Sequence, residues 1–436
     1  MILDDLVARV AAQLPDPADE LQVAALLESE GVTDQVAVDS YGRGDVFALG
    51  QEVFERLPRG SVAPEREIRR TSWPHALRGL LYLAPTTAFP AVVDVLGGPV
   101  AVRAMVIATA VSWVWGSGVS AMAHHLLARG AGATAARLVR LFGVAGVAIA
   151  GAAASMTGWQ SALFVPALAC LQLSIGVLLF HRKEGVLVTA VVPATAGGVI
   201  YLAWEATGIV LALGGATVLL AAVGAWRAGR DARDTGGVRM PSALTLVAAA
   251  LPSAVYAALC ATLLLHTDSR YVLGALDLAV AAAPLVLGMG VVEWRAQRFF
   301  ELASDELRRC EMPAEFRKAV WHVLVRELGV CLVALGSAAL VLLVVLRVAD
   351  VLTLPGALLI DGHVLLGGAF FLGFVLVRTT SAVTAPSLVS GVLLSSVVAT
   401  ESGADPVPVF LVSTAALSLL LLVALRGSVG QVRHYR

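Results

Sequence analysis

From about residue 75 onward, apolar residues fall into blocks of roughly 20, separated by short polar clusters, with neither strand-like alternation nor a narrow helical stripe. A helix needs about 20 mostly apolar residues to cross the hydrocarbon layer of a bilayer. On that criterion the blocks predict twelve spans, at 75–96, 101–125, 139–157, 160–180, 185–204, 207–226, 241–265, 271–292, 323–347, 353–377, 380–400 and 405–426. The expected fold is an all-α polytopic membrane protein.

The first seventy residues break this pattern. No stretch there can span a bilayer, and acids outnumber bases fourteen to seven. Three short helices are expected, over 2–14, 19–30 and 45–57, with Pro15 and Pro17 separating the first two. Asp45 is placed to cap the third, whose Val46, Phe47, Leu49, Val53, Phe54 and Leu57 make one broad apolar face. That face needs a cover, whether the other two helices, the membrane surface or a cytoplasmic assembly protein. Pro58 to Pro64 reads as a connector, and Arg66, Arg69 and Arg70 as a charge anchor before the first span. The GRGD run at 42–45 is ordinary turn chemistry before a cap.

Charge sets the orientation. With the amino end in the cytoplasm, the inner segments hold twenty-three Lys and Arg and the outer connections about three, a positive-inside bias that any error in the span count would scramble. Both termini are therefore expected inside a bacterial-type cytoplasmic membrane. The inner 227–240 linker divides the spans into two sets of six, giving a cytoplasmic domain at 1–70, lobes at 71–226 and 241–426, and a tail at 427–436. Two lobes of like orientation about a membrane-normal axis are a known transporter plan. The segment from 293 to about 322, with Trp294, Phe299, Phe300 and Phe316 among many charges, is expected to be an interfacial helical elbow. The opening Met-Ile-Leu-Asp-Asp lacks the order of a cleaved signal, so insertion is expected to begin at the first span.

Composition excludes other classes. At 58% hydrophobic and 14% charged the chain has more apolar surface than a soluble domain can bury, and a net charge of −1 with no basic stripe argues against nucleic acid. Cys170, Cys260, Cys310 and Cys331 have no metal-binding spacing and read as packing residues. With no Ser-His-Asp set, phosphate-binding loop or HExxH, neither an enzyme nor a cofactor is expected, and ATP-driven work would need a separate subunit.

Polar groups inside the spans carry the functional signal, because an unpaired charge in lipid costs several kcal/mol. Asp361 and His363 in span ten and Asp277 in span eight are candidates for ion coupling or for lining a cavity, with Asp361 foremost. Trp113 and Trp115 lie too deep in span two for an interfacial belt and are candidates to line a lumen. Glu293 and Arg298, closing span eight beside Trp294, are a candidate cytoplasmic latch. Asp94 is expected to pair with Arg103 across the first hairpin. Pro193, Pro284 and Pro386 are expected to break or kink their helices.

Two stretches carry a resemblance. AVSWVWGSGVSAMAHHLLARGAGATAARLVR, ending at Arg140, resembles the second span and basic loop of the multidrug/oligosaccharidyl-lipid/polysaccharide flippase superfamily. LVLGMGVVEWRAQRFFELASDELRR, at 285–309, is similar to the span-eight exit of the membrane component of Pel exopolysaccharide systems, with Glu293, Phe299 and Phe300 in the places of the acid and aromatics. The resemblance implies a lipid-linked or polymeric glycan moving through a cleft between two six-helix lobes; the acidic N-terminal extension and the apolar set of candidate lumen residues depart from it. The expected function is a transporter or flippase for such an amphiphile, with membrane lipids around it. A non-transporting envelope-assembly scaffold and the permease subunit of a multicomponent exporter are the alternatives.

Overall fold

In the computed structural model the described residues are 3–14, 19–57, 78–155, 158, 161–230, 241–310, 312–379 and 383–432. The connector at 58–64, the Arg66, Arg69 and Arg70 anchor, Pro15 and Pro17, the linker beyond Arg230 and the last four residues lie outside them. The chain divides into two compact units, Met1–Arg70 and Thr71–Arg436.

The first unit holds four short helices, α1 (Leu3–Gln13), α2 (Glu20–Ser29), α3 (Asp34–Tyr41) and α4 (Val46–Arg56). Asp19, Thr33 and Asp45 each accept a hydrogen bond from a backbone N–H three residues on, satisfying donors that a helix start leaves open. Val46, Leu49 and Val53 of the expected apolar face close over Leu6, Val10, Val23 and Leu27, so the other helices cover it. Phe47 is the exception and stands exposed. Helix α3 is the unexpected element: it is eight residues long and buries only Ala37, too little to leave a pattern.

The second unit runs α5 (Arg78–Leu83), a 3-10 turn (Ala84–Ala88), α6 (Phe89–Leu96), α7 (Gly98–Leu127), α8 (Gly132–Ala154), α9 (Phe164–Phe180), α10 (Glu184–Trp204) and α11 (Thr207–Arg227). It continues with α12 (Ala243–Tyr271), α13 (Leu276–Ala279), α14 (Ala283–Arg309), α15 (Pro313–Val348), α16 (Leu354–Thr379), α17 (Thr384–Glu401) and α18 (Pro406–Ser428). Among the described residues eleven helical stretches are long and apolar enough to cross a membrane, counting α5–α6 and α13–α14 as one each; α9 is apolar but has 17 residues. Large side chains such as Leu219, Val333, Val341, Val345 and Leu419 stand exposed on these helices. So much outward apolar surface is stable only against lipid, and the chain is a multi-pass membrane protein.

Packing partners repeat along the unit. The α5–α6 stretch packs on α7, α10 and α11; α7 packs on α8 and α9; α8 on α9; α9 on α10 and α11; α10 on α11. Further on, α12 packs on α13, α17 and α18; α14 on α15 and α16; α15 on α16; α16 on α17 and α18; α17 on α18. Exchanging α5–α6 for α12, α7 for α13–α14, and α8 to α11 for α15 to α18 carries one set into the other. The contacts between the sets obey the same exchange, since α7 packs on α12 and α5 packs on α14. No internal repetition is visible in the residues themselves.

Helix α16 is the most enclosed of the long apolar helices. Against the expected elbow, α14 continues unbroken to Arg309 and α15 begins at Pro313, and the two pack side by side. At 36 residues α15 is about 54 Å long, well beyond a hydrocarbon layer of about 30 Å, so the pair projects past it. Phe299 and Phe316 are buried at 0% and 1% exposure, because each helix shields the other's aromatics. Pro284 and Pro386 sit in the first turns of α14 and α17, where no helical hydrogen bond is lost. Pro193 does lie inside α10; beside it, Thr217 Oγ1 accepts from the Ala194 N–H at 2.9 Å and Thr87 Oγ1 donates to the Ala194 carbonyl at 3.1 Å.

Candidate functional site

The seam between the two helix sets is built on α7 and α12, which run antiparallel. Gly98 faces Leu273 at one end of the pair, and Gly118 meets Ala250 and Ala254 further along, so the contact is made largely of small residues. Where α5 meets α14, Gly79 lies so near the Leu287 carbonyl that a Cβ there would overlap the oxygen. Midway along α7, Trp113 stands edge-on to Phe370 of α16, with ring centroids 6.0 Å apart.

Near that contact α16 carries an enclosed polar pair. His363, with no exposed surface, bonds through Nε2 to Asp268 Oδ1 at 3.0 Å and through Nδ1 to the Leu359 carbonyl at 2.8 Å. A carbonyl only accepts, so Nδ1 carries a proton; the second bond needs another, on Nε2 or on the carboxyl. The pair thus holds one proton more than a neutral imidazole beside a carboxylate. His363 also packs against the Phe410 ring, 5.0 Å between centroids, while the Asp268 side chain keeps 23% exposure. Asp268 therefore links the enclosed imidazole to the surface.

Asp277 is fully buried in the short α13 and caps the start of α16. Its Oδ2 accepts from the Thr353 N–H at 2.9 Å and from the Thr353 hydroxyl at 2.5 Å, and Oδ1 accepts from the Leu278 N–H at 3.0 Å. A Cβ on Gly356 would collide with this carboxylate. A negative group at a helix N-terminus is stabilised by the helix dipole, which explains an acid at this depth.

Asp361 stands elsewhere. At about 100° per residue it lies some 180° around α16 from Phe370 and about 160° from His363. It is exposed, on the side where Gly368 meets Leu328 and Leu332 of α15 and Ser418 of α18 bonds the Leu365 carbonyl. Trp113, His363 and Asp277 thus share one side of α16 and Asp361 does not. Trp115 is also apart: it stacks on Phe142 at 5.9 Å and donates from Nε1 to the Phe142 carbonyl at 2.6 Å, a packing contact between α7 and α8.

Glu293 and Arg298 are both partly buried at the projecting end of α14. Next to them, Arg295 forms an ion pair with α15. Arg295 Nη1 lies 2.9 Å from Glu327 Oε2 of α15, Arg326 Nη2 lies 3.0 Å from Oε1, and the Arg295 guanidinium covers the Trp294 ring at 4.2 Å. Glu327 retains only 1% exposure. In place of the expected Asp94–Arg103 pair, Asp94 accepts from the Tyr201 hydroxyl at 2.6 Å and from Thr207 at 3.3 Å, while Arg103 Nε donates to the Pro99 carbonyl.

Compared with known proteins, the chain matches no family model, no curated protein and no solved structure. Its function has to be read from its own geometry. Sequence reasoning overlooked Asp268 and Glu327. Asp268 was assigned to an outer loop because span seven was expected to stop at 265, whereas α12 runs to Tyr271. Glu327 did leave a signal, a lone acid within an apolar block, overshadowed by Arg326 beside it. Among the described residues no cluster of His, Cys, Asp and Glu is arranged to hold a metal.

Proposed function

We propose that the chain is a membrane transporter or flippase for a polysaccharide, a lipid-linked glycan or a related amphiphile, working by alternating access between two lobes of six spans each. The carrying observation is the repeated packing plan, in which α5–α6 to α11 and α12 to α18 make the same partnerships and exchange equivalent contacts across the seam. Two such units can rock about their shared face without repacking internally, which is the geometry alternating access needs. Counting α9 with the eleven longer stretches gives the twelve spans of that plan. The charge bias places both termini on the cytoplasmic side.

Within this reading, the His363–Asp268 pair supplies the coupling proton, since it holds one beside the seam and reaches the surface through Asp268. Movement of an amphiphile suits a protein whose lobes meet along lipid-exposed helices, and the resemblance of the 110–140 and 285–309 stretches to glycan flippases points the same way. The scaffold reading draws on one observation: Leu21, Val38 and Phe47 stand exposed on the N-terminal unit, as an assembly partner would require. Reconstitution separates the two. Proteoliposomes containing the protein and a fluorescent polyprenyl-linked oligosaccharide are expected to move label across the bilayer, read by a membrane-impermeant quencher, faster with an imposed pH gradient. Movement no faster than in empty liposomes, with and without the gradient, would leave the scaffold.

A further inference from the structure

Away from the seam, the end of the second unit that carries the α7–α8 turn holds a concentration of cations. Arg137 and Arg140, one turn apart on α8, share a cavity of about 350 Å³ with Arg230, and Ala133 and Gly229 complete its wall. Among the described residues no acid lines it and none of the three arginines is ion-paired to a carboxylate. Arginines that serve only as topological anchors splay into water. These line one shared, half-open space instead.

Behind Gly229, outside the cavity's lining, lies an unmet polar group. His181, following α9, has its Nε2 buried with no hydrogen-bond partner. Its ring is held in place by Gly229, whose φ of +69° and close approach to the ring both exclude a side chain. Burial, then Arg140 and Lys183, holds His181 below its ordinary proton affinity, so the imidazole does not add a further charge. The nearest described acid in sequence, Glu184, opens α10 and does not line the cavity.

A second cavity, also about 350 Å³, is lined by Ala228, the residue before Gly229. Val186 and Ala190 of α10 face Leu220 and Val223 of α11 across it, with Lys183 and Arg227 also in its lining. The site therefore presents cations beside an apolar groove on lipid-facing helices, and the half-exposed Trp226 ring lies 5.9 Å from the Arg140 guanidinium. Guanidinium groups fit phosphate oxygens in paired hydrogen bonds, and basic pockets between spans take lipid headgroups.

We propose that this is a binding site for one anionic phospholipid, its phosphate held among Arg137, Arg140 and Arg230 and an acyl chain laid in the groove between α10 and α11. The lipid supplies a negative charge that no described residue brings to the cavity, and it braces the inner ends of α8, α10 and α11 as one block. The site lies within one helix set and is independent of the transport reading.

The test uses the full chain, purified in a neutral detergent and titrated with phosphatidylglycerol, phosphatidylcholine or inorganic phosphate alone, with retained lipid read by native mass spectrometry. Phosphatidylglycerol is expected to be retained at one tight site and phosphatidylcholine not. Replacing both Arg137→Gln and Arg140→Gln should weaken retention by roughly thirtyfold, at about fivefold per basic residue removed. Arg182→Gln, an exposed arginine outside the cavity, should change nothing. If the double variant fails to fold, wild-type protein still decides the matter: retention of phosphatidylglycerol should fall steeply as salt rises. Equal retention of the two lipids, retention indifferent to salt, an unweakened double variant, or inorganic phosphate displacing the lipid at equal concentration would each overturn the proposal.

Discussion

The carboxylate of Glu327 is among the most deeply buried charges in the protein, and its energetics follow from its two partners. Arg295 contacts one oxygen at 2.9 Å with its side chain only 17% exposed, whereas Arg326 contacts the other at 3.0 Å with 59% exposed. Removing one partner of a buried pair leaves an uncompensated charge and costs about 3–5 kcal/mol. A pair formed by an exposed arginine is screened by water and contributes below about 1 kcal/mol. Arg295→Ala should therefore destabilise the protein by about 3 kcal/mol and Arg326→Ala by under about 1 kcal/mol. Replacing the pair together, with Arg295→Met and Glu327→Leu, removes both desolvation costs and should return stability to within about 1 kcal/mol of wild type. Reversible unfolding in mixed detergent micelles, followed by tryptophan fluorescence, measures all three. Equal losses for the two arginine variants, or additive loss in the double replacement, would refute the assignment of the pair to the buried interior.

Other expectations follow from the remaining polar groups. Asp361→Asn should leave proton-coupled transport unchanged, while His363→Gln and Asp268→Asn should each abolish its acceleration by a pH gradient, measured in the same liposome assay. Asp277→Asn, which keeps the shape but removes the charge that caps α16, should lower stability by about 1 kcal/mol, and Asp277→Ala by more, read as the unfolding midpoint. His181 binds its proton less readily in the folded protein than in the unfolded chain, so unfolding takes up a proton in mildly acid solution. Its contribution is therefore fully present above the ordinary imidazole value of about 6.5 and is lost as pH falls below it. In a neutral detergent without anionic lipid, His181→Asn should flatten that part of the stability curve.

Much of the architecture was legible because its physical cause is local. Apolar blocks of helical length located the long apolar helices, although α8, α12, α14 and α15 run well past the expected bounds, and Asp45 was recognisable as a cap because its role depends on the next three residues alone. Features that depend on distant residues were not legible. His363 and Asp268 are 95 positions apart, and nothing in either neighbourhood announces the other. The face of α16 that meets the seam was equally hidden, because an enclosed helix is apolar all round and its pattern does not distinguish the side of His363 from that of Asp361. The repeated packing plan rests on backbone arrangement, which the two sets of helices keep without sharing recognisable residues. The α14–α15 pair was not legible as two continuous helices because Phe299 and Phe316 stand among charges, a composition that two helices covering each other produce as readily as a headgroup region does.

The central claim, two six-span lobes that rock about the α7–α12 seam, is tested most directly by paired distances at the two ends of the protein. Spin labels at the exposed Glu205 and Asp350 report one end, and labels at the exposed Arg182 and Arg309 report the other, in a background with Cys170, Cys260, Cys310 and Cys331 replaced by alanine. Double electron–electron resonance in lipid nanodiscs, at neutral and acid pH, should give two populations at each pair. One distance should lengthen as the other shortens when the balance shifts. A single unchanging distance at both ends, in protein that retains its fold, would contradict the account.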